Sequence, residues 1–298
     1  MSKNLNIPWN QFGKLQNERE LSKYFADREY THGDYCHYTR IRGLNGILER
    51  KEFRLGCVSR FNDKLDTKQF GDESNLYYAL CFSTGVNENL ALWYLYAGMD
   101  GRGARIRLTK SIVRKLIDNA RLSLCEIIRN EKGEEISCEK VLDLTNSVDV
   151  ELKFKDVLYS LIDSQSHGVK LKYNTMTNYN ISQQEFNSYR KKNRGFMKGL
   201  IWYYEKETRL LAKLKGSAAE LVLNTGKEYV IQLGFDDTIY KNIAVDFAPE
   251  ISDISSVVEG NDGIRKFVYG TSNTKLSDYV GTVKMDLCGK CDKLQSKL

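Results

Sequence analysis

A chain of 298 residues, 41% of them hydrophobic and 28% charged, is long enough to bury a sizeable core as one large domain or two small ones. Its formal net charge of +6 suits a polyanionic partner but is too small over this length to specify one. The uncharged stretches are too short to cross a bilayer and the N-terminus lacks the apolar core of a signal peptide, which predicts a soluble, cytoplasmic protein without a membrane partner.

The first half of the chain predicts strands alternating with a few helices. After a polar extension over 1–34, with a short helix at 16–25, the patterns predict strands at 35–38, 53–59, 76–83 and 103–108 and helices at 40–50, 87–97 and 111–122. The second half predicts a hairpin over 123–138 that turns at 131–134, a helical stretch at 139–163, a polar insert from 164 to 198, and strands at 200–211, 229–233 and 243–247. Together these elements predict an α+β fold in a single domain spanning 1–298, with an insert at about 123–198.

Several common chemistries lack their motifs in this sequence. There is no phosphate-binding G-x-x-x-x-G-K-[ST], no dinucleotide-binding G-x-G-x-x-G opening a helix, and no G-x-S-x-G of a serine hydrolase. The seven cysteines are scattered, which favours a reducing compartment, and the pair Cys288 and Cys291 lacks the second pair that a zinc ribbon needs. No metal site is predicted.

The polar residues of the first strand are one candidate binding site. His37 and Thr39 lie two residues apart, hence on one face of the strand, where a neutral imidazole and a hydroxyl can bind ribose hydroxyls. Arg42 follows within reach of a pyrophosphate, although a solvated helix charge explains it equally well. A buried histidine bonded to a backbone carbonyl is the alternative interpretation of His37.

The next strand and helix add hydroxyl and aromatic groups. Ser83 ends a strand just before a glycine, where a ligand can meet backbone amides, and Trp93 and Tyr96 offer ring faces to a nicotinamide or an adenine. Aromatic residues at helical spacing also serve as core, so both interpretations of Trp93 and Tyr96 stay open.

The segment 200–211 combines two glutamates and an arginine with an otherwise apolar and aromatic run. If it is one continuous strand, Glu205, Glu207 and Arg209 share a face. Two neighbouring carboxylates repel unless they are solvated, paired with a cation, or used on a cationic ligand. A Glu–Arg ion pair and a catalytic carboxylate are therefore both compatible with the pattern.

A basic run at the end of the polar insert is the candidate nucleic-acid interface. Its cations are interleaved with aromatic residues that can stack on a base; they are Arg190, Lys191, Lys192 and Arg194. A solvated loop is the alternative.

Several motifs, in order along the chain, carry a resemblance to known proteins. His37-Tyr38-Thr39, followed by the Gly-Leu-x-Gly-Ile-Leu pattern of a helix, is similar to the opening of the ADP-ribosyltransferase fold. The chain further resembles a bacterial family known as domain of unknown function 2971. The matching motifs are Phe61-Asn62-Asp63, Cys81-Phe82-Ser83, Trp93 to Ala97, and Tyr204 to Arg209.

The resemblance implies a split β-sheet core with flanking helices and an NAD-dependent mono-ADP-ribosyltransferase. Under it, His37, Tyr38 and Thr39 bind NAD, and an aromatic ring packs on the nicotinamide. A late-strand glutamate, Glu207 in preference to Glu205, stabilises the cationic ribose, and the other orients or deprotonates the acceptor.

The resemblance also suggests a biological setting. Relatives resemble toxins of bacterial toxin–antitoxin and antiphage systems, which makes an antitoxin protein a candidate partner, and the positive charge favours RNA as acceptor. An acceptor protein, or a catalytically silent module that binds a nucleotide or a partner, are the alternatives.

Overall fold

The structure is a computed structural model that describes residues 34–84, 90–97, 103–163, 168–172, 178–182, 184, 191 and 193–247. The predicted helix at 16–25 and the pair Cys288 and Cys291 lie outside the described residues. The architecture is mixed α and β, mostly antiparallel sheet with few helices, as the α+β prediction requires. The chain divides into two compact units, each of which is described by itself. One unit, the first, takes its described residues from Leu55–Ser83 and Leu124–Ile231, and the second takes them from Gly33–Arg54, Thr84–Ser123 and Gln232–Leu298.

The described strands, in chain order, are β1 (Asp34–Arg40), β2 (Glu52–Cys57), β3 (Tyr77–Thr84), β4 (Gly103–Thr109), β5 (Arg121–Arg129), β6 (Glu135–Asp143), β7 (Val150–Asp156), β8 (Leu158–Asp163), β9 (Gly168–Lys172), β10 (Asn178–Ser182), β11 (Met197–Gly199), β12 (Glu207–Leu214), β13 (Tyr229–Gly234) and β14 (Ala244–Phe247). The described α-helices are α1 (Ile41–Arg50), α2 (Lys64–Lys68), α3 (Leu90–Leu92), α4 (Lys110–Asp118), α5 (Gly216–Thr225) and α6 (Asp237–Tyr240). A π-helical turn, Trp93–Ala97, continues α3, and 3-10 helices span Val58–Arg60, Gly71–Leu76 and Leu200–Glu205. No described helix is both long and apolar enough to span a bilayer.

Within the second unit, a three-stranded antiparallel sheet has the order β14-β4-β1. In its register Tyr38 lies opposite Arg105, which lies opposite Asp246. Successive side chains of a strand point to opposite faces, so these three side chains share one face. Ile106 and Leu108 of β4 are fully buried, which places the apolar core of this unit on the other face.

Within the first unit, β12 lies between β3 and β7, and both pairings are antiparallel. Its residues are buried almost without interruption, as expected of a central strand. The register places Glu207 opposite Ser83 and Arg209 opposite Cys81. A smaller sheet runs β10-β9-β8-β11, in which β11 pairs with β8 in parallel.

The structure confirms most predicted elements and corrects three. The helix at 40–50, the early strands and the hairpin that turns at 131–134 are confirmed, the last by the Asn130 amide donating to Glu134 over 2.9 Å. The helical prediction at 139–163 is wrong, because Val150–Asp156 alternates apolar and polar residues and forms a strand against β12. The predicted helix at 111–122 ends earlier, at Asp118, and β5 begins at Arg121.

The predicted continuous strand at 200–211 is also wrong, and this correction matters for the candidate site. Leu200–Glu205 forms a 3-10 helix, and Lys206 adopts a left-handed conformation with φ 43° before β12 begins at Glu207. A short apolar run does not distinguish a strand from a helical segment, so its pattern alone could not place this break. Glu205 and Glu207 therefore do not share a strand face, and any contact between them must come through other residues.

Candidate functional site

The sequence-predicted residues divide between the two units. The second unit holds His37, Tyr38, Thr39, Arg42, Trp93 and Tyr96, and the first holds Ser83, Glu205, Glu207, Lys191 and Arg194. Arg190 and Lys192 lie outside the described residues.

In the second unit, the residues of the predicted ribose site lie on two faces of β1. Tyr38 contacts Trp93 edge to face, with ring centroids 5.1 Å apart. His37 points the other way and packs edge to face on Phe53 at 5.9 Å. Thr39 shares the face of His37, and its hydroxyl sits so close to Gly43 of α1 that a Cβ at that glycine would collide with it. The structure thus brings Tyr38 and Trp93 together, and keeps His37 and Thr39 together on the opposite side of the strand.

The remaining predicted residues of this unit differ in exposure. Arg42 is exposed on α1, which fits a solvated charge as well as a phosphate contact. Tyr96 is half-buried in the π-helical turn, while Trp93, in the same turn, is only 3% exposed. Trp93 is therefore part of a small apolar cluster with Ala97, against which Tyr38 packs.

In the first unit, Glu205 and Glu207 meet through a lysine. Lys198 Nζ lies 2.5 Å from Glu205 Oε2 and 3.0 Å from Glu207 Oε2, and all three side chains are buried. Lys198 belongs to β11, which places it beside the end of the 3-10 helix and the start of β12. Lys198 follows the basic run of the insert in the sequence, but in the structure it belongs to an internal ion network.

Arg209 forms the second half of this network. Its guanidinium is fully buried and donates to both oxygens of Glu207, at 2.6 and 3.1 Å, and to both oxygens of Asp66, at 3.0 and 2.5 Å. It also donates to the Gly195 carbonyl at 2.8 Å. Gly195 has φ +85°, and a Cβ there would lie 2.7 Å from the Phe70 ring, so only glycine fits beside the guanidinium.

Neighbouring groups fix the backbone around the two glutamates. Ser83 Oγ donates to the Glu205 carbonyl at 2.7 Å, and the Glu207 amide donates to the Tyr159 hydroxyl at 2.8 Å. The Thr208 hydroxyl donates to Asp156 of the neighbouring strand at 2.5 Å. Of the predicted residues, the structure therefore brings Ser83, Glu205 and Glu207 together at one place.

The charges of this network do not balance. Asp66, Glu205 and Glu207 supply three carboxylates, and Lys198 and Arg209 supply two cations, which leaves one net negative charge. Burial acts to raise the pKa of Glu207, but Arg209 and Lys198 outweigh it and hold that pKa well below the usual range. Burial acts to lower the pKa of Lys198, but the negative charges of Glu207 and Glu205 outweigh burial and raise that pKa above its usual value. Both partners are thus held in their charged forms.

The lowered pKa of Glu207 predicts an acid-sensitive contribution to stability. A carboxyl group whose pKa is lower in the folded than in the unfolded chain stabilises the fold above its unfolded pKa of about 4.3, and loses that contribution as the pH falls further. We expect Glu207→Gln to be less stable than the wild type at neutral pH, with the difference narrowing below about pH 4.3. Urea unfolding followed by circular dichroism across this range measures the difference.

Glu73→Gln is the matched control, because Glu73 is half-exposed and its ion pair with Arg194 lies at the surface. Its effect on the free energy of unfolding should be small at every pH. If the difference in free energy of unfolding between Glu207→Gln and the wild type stays constant with pH, the assignment of an ionised, charge-paired Glu207 is contradicted.

The described part of the basic run is less cationic than its sequence suggests. Lys191 is exposed, but Arg194 donates to Glu73 at 2.9 Å. Among the residues that the structure describes, no group of three or more His, Cys, Asp or Glu side chains is placed to hold a metal ion.

Comparisons with known proteins identify no relative of this chain. No protein-family model, curated protein or solved structure matches this chain. The resemblance to domain of unknown function 2971 therefore rests on its four motifs alone, and the resemblance to ADP-ribosyltransferases on His37-Tyr38-Thr39 and the helix pattern that follows it.

Proposed function

We propose that this chain is an NAD-dependent mono-ADP-ribosyltransferase that acts in the cytoplasm on a nucleic acid, RNA in preference, in antiphage defence or a toxin–antitoxin system. The observation that carries the proposal is the meeting of Ser83, Glu205 and Glu207 in one unit, with Glu207 held ionised at the first residue of β12. The motif order along the chain supports the same proposal.

The chemistry requires an anionic group beside the ribose. Cleavage breaks the bond between the ribose C1′ and the nicotinamide nitrogen, the bonding pair leaves with nicotinamide, and positive charge develops on the ribose. A preorganised carboxylate facing that charge stabilises the transition state electrostatically. We assign this role to Glu207. The acceptor then forms the new bond to C1′, and Glu205 takes the proton that the acceptor loses.

The remaining assignments concern NAD and the acceptor. His37, Tyr38, Thr39, Arg42, Trp93 and Tyr96 are the proposed NAD-binding residues, and the basic run with Lys191 is the proposed contact with RNA. The net charge of +6 favours a polyanionic acceptor over a protein.

One observation favours a second candidate, a catalytically silent module that binds a nucleotide or a partner protein. Glu207 is only 5% exposed, and both of its carboxylate oxygens are engaged by Arg209. A transferase must expose this carboxylate to the ribose by displacing at least one cation, whereas a silent module can keep the network closed.

Transfer of label from radiolabelled NAD to total RNA, DNA and protein separates the candidates. We expect label in RNA with the wild type and a loss of about 100-fold or more with Glu207→Gln, the scale seen when an electrostatic catalytic group is removed. Glu73→Gln serves as control and should retain transfer. Label in protein would identify protein, and not RNA, as the acceptor class. No label in any fraction would support the silent module.

A further inference from the structure

One side of the β14-β4-β1 sheet carries an arginine that contacts two aromatic rings. Arg105 Cζ lies 5.9 Å from the Tyr38 ring centroid and 5.7 Å from that of Trp93. Its Nε and Nη2 donate to Asp246 Oδ2 at 2.9 and 2.6 Å. Arg105 is only 7% exposed, and two of its nitrogens are hydrogen-bonded while its guanidinium lies beside both aromatic side chains.

Two N–H donors of this cluster lack acceptors. Trp93 Nε1 and Arg105 Nη1 are buried, and neither has a hydrogen-bond partner in the described part of the chain. A buried unsatisfied donor carries a desolvation cost, and native proteins keep few of them without a reason. Donors from two different elements, a π-helical turn and a central strand, are unsatisfied in one cluster. Moreover, single π-helical turns occur frequently at functional sites.

The charge of the cluster indicates what the missing acceptor is. Arg107 Nε lies 2.8 Å from Asp246 Oδ2, but without the geometry of a hydrogen bond, so Asp246 faces two guanidinium groups. The cluster therefore has one net positive charge besides its unsatisfied donors. A neutral acceptor would leave that charge uncompensated, whereas a phosphate group supplies both negative charge and several acceptor oxygens.

We propose that the cluster of Tyr38, Trp93, Arg105, Arg107 and Asp246 binds a phosphate group of a nucleotide, with Arg105 Nη1 and Trp93 Nε1 donating to its oxygens. The proposal goes beyond the transferase activity, since phosphate binding here does not require Glu207 or bond cleavage. If the transferase proposal also holds, the bound group is the pyrophosphate of NAD.

The test uses the indole N–H of Trp93 as its probe. The chain contains three tryptophans, so ¹⁵N-tryptophan labelling yields three indole signals, and Trp93→Phe assigns the one that disappears. On titration with inorganic pyrophosphate or ADP-ribose, we expect the Trp93 indole proton to shift downfield and saturate, as when an acceptor arrives. Trp202, in the first unit, is the internal control in the titration with inorganic pyrophosphate and should not move there. Adenosine, which lacks phosphate, should leave the Trp93 signal in place.

Arg105→Lys keeps the charge but removes the forked donor, and should weaken the apparent affinity for pyrophosphate about tenfold. Tyr94→Phe, an exposed position on the same π-helical turn, should leave that affinity unchanged. A Trp93 signal that neither pyrophosphate nor ADP-ribose shifts would overturn the proposal, and so would an equal response to adenosine. Because this readout is equilibrium binding, it is independent of whether label transfer from NAD occurs.

Discussion

Arg209→Ala is expected to lower the free energy of unfolding by about 3–5 kcal/mol, the cost of leaving one partner of a buried ion pair without the other. Arg209 is 0% exposed and donates five hydrogen bonds, to Glu207, Asp66 and the Gly195 carbonyl. Removing it leaves two buried carboxylates and an unsatisfied carbonyl. Urea unfolding at neutral pH, followed by circular dichroism, measures the change.

Two further variants separate charge from geometry. Arg209→Lys keeps the positive charge, but its ammonium cannot donate to two carboxylates as the forked guanidinium does. Its free energy of unfolding should therefore lie between those of the wild type and Arg209→Ala. Arg194→Ala removes a half-exposed arginine from the Glu73 ion pair and should cost no more than about 1 kcal/mol. A similar cost for Arg209→Ala and Arg194→Ala would contradict a structural role for the buried network.

The sequence predicts the strands of this fold better than it predicts the network. Ser83, Glu205 and Glu207 were chosen from the sequence, and the structure brings them together. Asp66 was not chosen, because a short helix 143 positions before Arg209 has no sequence signal that links it to a late strand. Only the register of the sheet and the position of α2 bring the two side chains into contact.

The face that each residue occupies is a second limit of sequence reasoning. The period of two correctly places His37 and Thr39 on one face of β1. It equally places Tyr38 on the other, where the structure pairs it with Trp93, yet the motif groups all three as one site. Arg105 was overlooked because arginines that alternate with apolar residues, as Arg105 and Arg107 do in β4, are typical of any half-exposed strand until Asp246 lies opposite Arg105.

Two helices show the limits of local sequence signals: one lacks a start signal, and in the other the apolar spacing extends beyond the end of the helix. Helix α5 was not predicted, and it begins at Gly216 after Lys215, which forms no side-chain cap. The usual Ser, Thr, Asp or Asn signal for a helix start is therefore absent. Helix α4 was predicted too long, because Ala120 continues its apolar spacing although the helix ends at Asp118 and the next strand begins at Arg121.

Lys198→Met is expected to destabilise the first unit by about 3 kcal/mol, since it leaves Glu205 and Glu207 buried without the ammonium they share. The two glutamates should not respond equally. Glu207 keeps both of its hydrogen bonds to Arg209, whereas Glu205 loses a contact of 2.5 Å. Unfolding of the single and double variants in urea provides the double-mutant cycles.

Glu205→Gln should therefore reduce the cost of Lys198→Met more than Glu207→Gln does, with a coupling energy of about 1–3 kcal/mol for the Lys198–Glu205 pair. The comparison is well matched, because either glutamine removes one negative charge from the same network. A larger coupling to Glu207 would contradict this assignment and would mean that Lys198 stabilises the proposed catalytic carboxylate more than it stabilises Glu205. In that case a transferase would have to displace the Lys198 ammonium as well as a hydrogen bond from Arg209 before Glu207 could face a cationic ribose.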